Sequence, residues 1–343
     1  MARSDFRRER GFQDTETSDP LNRRSPLEIL KARPPLTAPQ RQMLWRWVKG
    51  APQAVLVVPP PLKTGPQLTS HPKYITRSGH EPLRDESGLD LKGEASLKEL
   101  SQDWACVDGL DSRRRSNSPL ARRFVFSGPT GAPASAVERA TVHLLARAIG
   151  AERPYVHVTH TDTDHPHVHA VVRCLGSQRR RLAPSITDME RLRERFAEAL
   201  REEGVEADAS PRWVRGLAGR GPLASHWRLQ HEFETLDGPA PHWMRTQSLE
   251  AAKLAFSGVP PDANRELKIL ASQGSIRRSF LDLAQRLTES PEVEDRRLAS
   301  AIEVFVRRMP PPETERLQLA RRLKAAHSRS RKQYERAEPT RER

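Results

Sequence analysis

The spacing of apolar positions changes several times along the chain, and each change marks an element. The first 50 residues mix Arg, Asp, Ser and Pro without periodicity until APQRQMLWRWVKG, Ala38 to Gly50, where Met43, Leu44, Trp45, Trp47 and Val48 form an amphipathic helix. AVLVV, Ala54 to Val58, is a strand stopped by Pro59, Pro60 and Pro61, and a polar segment from Lys63 to Gly79 follows. Ser96 precedes Glu99 at capping-box spacing, which predicts a helix over Ser96 to Trp104. Phe124 to Phe126 is a short strand before the SGPTGAP turn. Ser135 to Ile149 is helical, with Val137, Val142, Leu145 and Ile149 near one face and Gly150 closing it.

PYVHVTHTDTDHPHVHAVVRCLG then holds two alternating β-branched runs separated by Asp, Thr and Pro, which is a hairpin pattern. Thr187 to Glu203 is a helix with Asp188 and Glu190 in its first turn and Gly204 at its end. This order of elements around a central hairpin predicts an α+β fold with a largely antiparallel sheet. Beyond Gly219 the pattern is helical and polar, through Ser248 to Phe256, Ala263 to Ser272, Arg277 to Thr288 and Val293 to Arg308. The expected organisation is a basic, largely disordered arm with a short helix over residues 1–50, a folded domain over 51–218, and a helical region over 219–343. The last segment, Arg316 to Arg343, carries 10 basic and 3 acidic residues.

Charge narrows the function classes. The 343 residues include 58 Lys plus Arg against 44 Asp plus Glu, a net +14 that calls for a polyanionic partner. The run Ala54 to Val58 is far short of the ~20 apolar residues that span a bilayer, so no membrane insertion is expected. The N-terminus has no apolar stretch of the kind a secretory signal needs, and a cytoplasmic location is expected. Cys106 and Cys174, the only cysteines, make neither a disulfide framework nor a thiolate cage and read as small buried hydrophobes.

Five of the 12 histidines fall within His157 to His169. Strand alternation points His167 and His169 to one face, and a hairpin turning through Thr161 to Pro166 returns His160 to that same face. His157 then faces away and His165 sits in the turn, while His71, His80, His143, His226, His231, His242 and His327 read as ordinary histidines. Three neutral imidazoles make an open Lewis-acid site, with Asp162 and Asp164 within reach to fix the rings. On a basic protein such a metal would polarise a nucleic-acid phosphate. The attacking group is either an activated water or a side-chain hydroxyl. Of the three tyrosines, Tyr334 lies in the charged tail and Tyr155 on the wrong strand face, which leaves Tyr74 beside Lys73, Arg77 and Gly79, where cations favour the phenolate and bind phosphate.

HTDTDHPHVHAVV, His160 to Val172, resembles the metal-hairpin motif of conjugative relaxases, the mobilization nucleases of the His-hydrophobic-His endonuclease superfamily, and especially the branch that includes the T-DNA border endonuclease. KYITRSG, Lys73 to Gly79, is similar to the nucleophile motif of that branch, and FVFSGPTG and DASPRWVRG are similar to its flanking segments. The likeness covers about residues 52–218, half of the chain. It implies an antiparallel palm flanked by helices that nicks and rejoins one DNA strand at a transfer origin through a 5′-phosphotyrosine. Tyr74 would be the nucleophile, Asp162 the orienting carboxylate, and His160, His167 and His169 the ligands of Mg²⁺ or Mn²⁺. Lys73, Arg77 and Arg173 would contact the single-stranded DNA; at Arg173 the branch often has Asn. Pro72 is expected to shorten the helix under the tyrosine. The implied partners are a coupling protein, type IV secretion machinery and relaxosome accessory proteins, with the basic tail as a transfer signal or DNA clamp. A rolling-circle replication initiator, a non-catalytic DNA-binding accessory protein and a hydrolytic metalloenzyme acting through bound water are the competing readings.

Overall fold

Alternating β-branched runs on either side of a polar turn pair with each other, and the hairpin they form organises the rest. The computed structural model describes residues 26–149, 153–217, 240–257 and 263–337. A short helix α1 (Pro26–Ile29) and α2 (Ala38–Lys49) lead into β1 (Val55–Val57) and α3 (Gly65–Ile75). The strands β2 (Leu83–Asp85) and β3 (Asp90–Leu91), α4 (Gly93–Gly109) and β4 (Ala121–Ser127) follow. Then come α5 (Ala134–Ile149), the hairpin strands β5 (Tyr155–His160) and β6 (His167–Arg173), and α6 (Ile186–Glu202). The later helices are α7 (His242–Ser257), α8 (Ala263–Thr288), α9 (Val293–Arg308) and α10 (Glu315–Ala337). The expected loose arm before Ala38 and the closing Gly150 fall wholly or partly outside the described residues.

The elements divide into two units, one within residues 50–210 and one made of described residues within 24–49 and 211–343. In the first, the strands form one open sheet in the order β1-β4-β6-β5-β2-β3, with antiparallel pairing throughout. The fold is α+β, as expected. Both faces are covered, and apolar side chains of the central strands pack outward on each. On one side Leu68 and Ile75 of α3 and Leu97 and Trp104 of α4 pack on Val156, Val158 and Val171. On the other, Val137, Leu144 and Leu145 of α5 and Leu192 and Phe196 of α6 pack on Phe124, Phe126, Val168 and Ala170. Ser185 and Asp188 start α6 with a reciprocal capping box.

Helix α3 occupies much of the polar segment Lys63 to Gly79, and it runs through Pro72 instead of being shortened by it. Pro72 has no N–H to give the Leu68 carbonyl one turn earlier. The buried Ser101 hydroxyl of α4 lies 3.2 Å from that carbonyl and 2.7 Å from the Leu97 carbonyl, and shares its proton between them. Ser101→Ala is therefore expected to cost about 1–2 kcal/mol, the penalty of an orphaned buried acceptor. Urea unfolding of the pair checks it, and an unchanged midpoint would mean that the Leu68 carbonyl needs no partner.

Other local expectations are corrected. Helix α4 begins after Lys92 with no side-chain cap, and the Ser96 hydroxyl donates to the Lys92 carbonyl at 2.9 Å, because the helix starts a turn earlier than the apolar pattern shows. Cys106 is exposed, on the outer side of α4, while Cys174 is buried and its thiol is pushed up to about 12 by burial. In the helical unit, α2 buries Leu44 and Trp47 against α8 and α9, with the Trp47 ring edge-on to Phe280 at 6.3 Å. Buried Asp295 accepts from the Leu36 N–H at 3.1 Å, the Ser290 hydroxyl at 2.8 Å and Arg41 at 2.9 Å. The basic tail is not a free segment at its start, since Arg316 pairs with Glu250 of α7 at 3.2 Å and His327 meets Phe256 at 5.3 Å.

Candidate active site

Register decides which imidazoles meet. His160 pairs directly with His167, and Val158 with His169, so all three rings share the face covered by α3 and α4. Ring centroids lie 5.1 Å apart for His160 and His167, 4.6 Å for His160 and His169, and 5.2 Å for His167 and His169. One nitrogen from each lies within 4.8 Å of the others. His157 and Tyr155 face the opposite core, as alternation requires; His157 Nε2 sits 3.3 Å from Glu138, and burial pushes the Tyr155 hydroxyl up to about 12.

The second nitrogens of His160 and His167 are held by backbone rather than by the expected carboxylates. His160 Nε2 lies 2.6 Å from the Ile75 carbonyl and His167 Nδ1 lies 3.0 Å from the His165 carbonyl. A carbonyl only accepts, so each of these nitrogens carries the proton and leaves its partner nitrogen free to ligate. Asp162 instead pairs with Arg77 at 2.5 Å, because the turn carries it outward to meet the loop after α3. Burial pushes its carboxyl up, but its own backbone N–H, Arg77 and His160 together hold it below the usual value. Burial, with His160 and His167 alongside, pushes His169 down to about 3, so it is neutral near pH 7. Convergent, nitrogen-only donors, two of them with the tautomer set by a carbonyl, fit a divalent cation.

The same burial makes stability depend on pH. The unfolded chain takes up a proton at His169 near 6.5, whereas the folded chain resists until about 3, so across that window the unfolded state binds more protons and stability rises with pH. His71, pushed down to about 4 by burial and Arg123, adds to the trend. In chelator, thermal unfolding is expected to shift upward between pH 4.5 and 6.5, and His169→Gln to flatten that slope; equal slopes would show that His169 titrates normally.

Tyr74 lies in the last turn of α3 with 71% of its surface exposed. The next carbonyl, that of Ile75, is the one His160 holds, so the helix end bearing the tyrosine is tied to the triad. His71, one turn back on α3, stacks on Tyr74 at 6.2 Å and 24°, and when protonated it opposes a charge on His169. Sequence reasoning passed His71 over; its spacing of three from Tyr74 on one helix face was the available signal. Past the helix, Arg77, Ser78 and Gly79 have φ of 51°, 60° and 91°. Glycine tolerates this, but Arg77 and Ser78 each store about 1–2 kcal/mol of strain there. Hydrogen bonds from Arg77 N to Tyr74 O at 3.1 Å and Ser78 N to Lys73 O at 2.9 Å hold the turn.

Lys73 pairs with Glu94 at 3.0 Å on the surface. Arg173 is not brought to the triad; it sits at the opposite end of β6, across from Ala121, with its Nε donating to Leu175 O at 2.9 Å. The SGPTG segment braces the hairpin turn through Gly128 N to Pro166 O at 2.9 Å and Gly131 N to Asp164 O at 3.1 Å. Gly128 is required there, since a Cβ would stand 2.5 Å from Val137 Cγ2.

Residues 74–205 match the family model of the MobA/VirD2-like relaxase nuclease domain, a span that opens on Tyr74 and encloses the triad. T-DNA border endonuclease VirD2 of Rhizobium radiobacter is 27% identical over 222 residues, 59% of this chain and 49% of that protein. VirD2 of Agrobacterium fabrum (strain C58 / ATCC 33970) is 29% identical over 191 residues, 50% of this chain and 42% of that protein. VirD2 of Rhizobium rhizogenes is 26% identical over 239 residues, 60% and 54%. The chain spans about half the length of the curated relatives it matches. No solved structure matches.

Proposed function

We propose that this chain, relaxase-like over residues 74–205, nicks and rejoins one strand of DNA at a transfer origin. The observation that carries the reading is the tie between His160 and the Ile75 carbonyl, which fastens the helix end bearing an exposed tyrosine to three converging imidazoles. His160, His167 and His169 would hold Mg²⁺ or Mn²⁺, which when bound polarises the scissile phosphate. The Tyr74 oxygen forms the bond to phosphorus, and the 3′-oxygen leaves with the proton the phenol gives up. The product is a 5′-phosphotyrosyl enzyme and a free 3′-hydroxyl, and the exchange of one phosphodiester for another allows the reverse reaction to reseal the strand. Asp162 orients Arg77 toward the phosphate, and Lys73 adds positive charge along the strand. A coupling protein with type IV secretion machinery and relaxosome accessory proteins are the proposed partners, and the proposed location is cytoplasmic. Among the described residues no helix is long and apolar enough to cross a membrane.

The test uses labelled single-stranded oligonucleotides tiled across the DNA flanking the coding region. Cutting that needs Mg²⁺ or Mn²⁺ and leaves protein on the 5′ end after SDS supports the reading. Cutting that leaves a bare 5′-phosphate overturns it in favour of water attack, and binding without cutting overturns it in favour of an accessory role.

A further inference from the structure

At the end of the sheet away from the triad, the loop after α4, the start of β4 and the loop after β6 enclose an open cleft of about 620 Å³. Six arginines line it: Arg113, Arg115, Arg122, Arg179, Arg180 and Arg181. Asp111, buried in its floor, neutralises only part of this charge by pairing with Arg113 at 3.1 Å and Arg181 at 3.2 Å. Arg115, Arg122, Arg179 and Arg180 have no carboxylate at ion-pair distance among the described residues. Arg122 Nε and Arg181 Nη2 are buried without a hydrogen-bond partner among the described residues. The buried carboxylates Asp108 and Asp111 lock Arg181, which positions the guanidinium groups in advance.

Among its described lining residues no aromatic side chain offers a base a stacking platform, whereas six guanidinium groups offer phosphate a concentrated positive charge. The β4–β6 ladder runs from Ser127 opposite His167 to Ala121 opposite Arg173, six steps of ~3.3 Å, which puts the cleft roughly 20 Å from the triad. At the ~3.4 Å per nucleotide of a strand in stacked form, that separation along the ladder corresponds to roughly six nucleotides, and to fewer if the strand is extended.

We propose that this arginine cleft holds the phosphate backbone of the DNA strand about six nucleotides from the phosphate the triad acts on. This rests on the nicking function proposed above, and it names where the substrate is gripped beyond the chemistry.

Binding of a fluorescent ~30-nucleotide oligo(dT), long enough to reach both places, is measured by anisotropy across a salt series for the full chain, Arg115→Ala/Arg180→Ala, and Arg139→Ala/Arg147→Ala. The last pair removes the same charge from α5 elsewhere on the unit. The cleft variant is expected to bind about tenfold more weakly, with a salt slope lower by about 1.4, the loss of two single-strand phosphate contacts. The α5 variant should stay close to the unmodified chain. Unchanged binding by the cleft variant, or equal losses in both variants, overturns the proposal. Because Arg115 and Arg180 are exposed and hold no ion pair, matching thermal unfolding is expected and confirms that binding alone has changed. Covalent product from the unmodified chain is scored separately on the tiled oligonucleotides. Its absence alongside a cleft-specific binding loss would sink the nicking reaction and leave a DNA-binding cleft, whereas its presence with unchanged cleft binding would sink only the cleft.

Discussion

Tyr74→Phe is expected to form no SDS-resistant DNA adduct, with single-strand cutting reduced on the order of 10⁴-fold or more, as befits loss of the attacking atom itself. DNA affinity should be nearly unchanged, because the ring remains stacked on His71 and only a hydroxyl is lost from a residue 71% exposed. The exposure also makes the substitution harmless to folding, so adduct yield reads chemistry alone. Tyr155→Phe is the paired control: that ring is buried in the core on the opposite face of the sheet, and its loss should leave adduct yield intact. An adduct that persists in Tyr74→Phe and vanishes in Tyr155→Phe would mean that the wrong face of the sheet has been assigned to the chemistry.

The second large effect concerns the triad. His167→Ala and His169→Ala each remove one of three nitrogen donors and should weaken Mn²⁺ binding by more than the roughly 10–100-fold that follows loss of an outer hydrogen-bond partner. Cutting should fall with it. His160→Ala should do the same and also loosen the tyrosine helix, since it removes the donor to the Ile75 carbonyl. His157→Ala separates ligand from neighbour. It is expected to leave Mn²⁺ affinity near that of the unmodified chain while lowering the unfolding temperature, because His157 is buried against Glu138, whose carboxyl is held down to about 2 by His157 and Arg84 against the opposing effect of burial. Isothermal titration with Mn²⁺ and thermal unfolding make the comparison. Equal loss of metal affinity at His157 and His160 would show that the hairpin register is off by one.

Much of the site is legible in the sequence because it obeys a local rule. Side chains alternate along a strand, so the parity of His160, His167 and His169 around a short turn is enough to bring their rings to one face, and the same parity sends His157 and Tyr155 to the other. The basic neighbours of Tyr74 are equally local. What parity cannot supply is the partner of a group whose counterpart lies far along the chain. Asp162 and Asp164 are close in sequence to the imidazoles, yet the acceptors that fix the rings are the carbonyls of His165 and of Ile75, the latter 85 residues from His160. Proximity in sequence favoured the carboxylates; the packing of α3 on the sheet brought in a carbonyl.

The sequence by itself determined the α+β class, the hairpin, the histidine face and the positive charge that calls for a polyanion, since each follows from periodicity or from a sum over residues. Tertiary structure alone decided the rest. The Leu68 carbonyl left open by Pro72 is met by Ser101 from another helix, so α3 continues where a proline is expected to shorten it. His71 acquires a neighbour in Tyr74 only once that helix is whole. The arginines of residues 113–122 and 179–181 become one cleft only where β4 and β6 lie side by side. Alternation is a property of neighbouring residues, whereas hydrogen-bond satisfaction and charge clustering belong to groups that only the folded chain brings together.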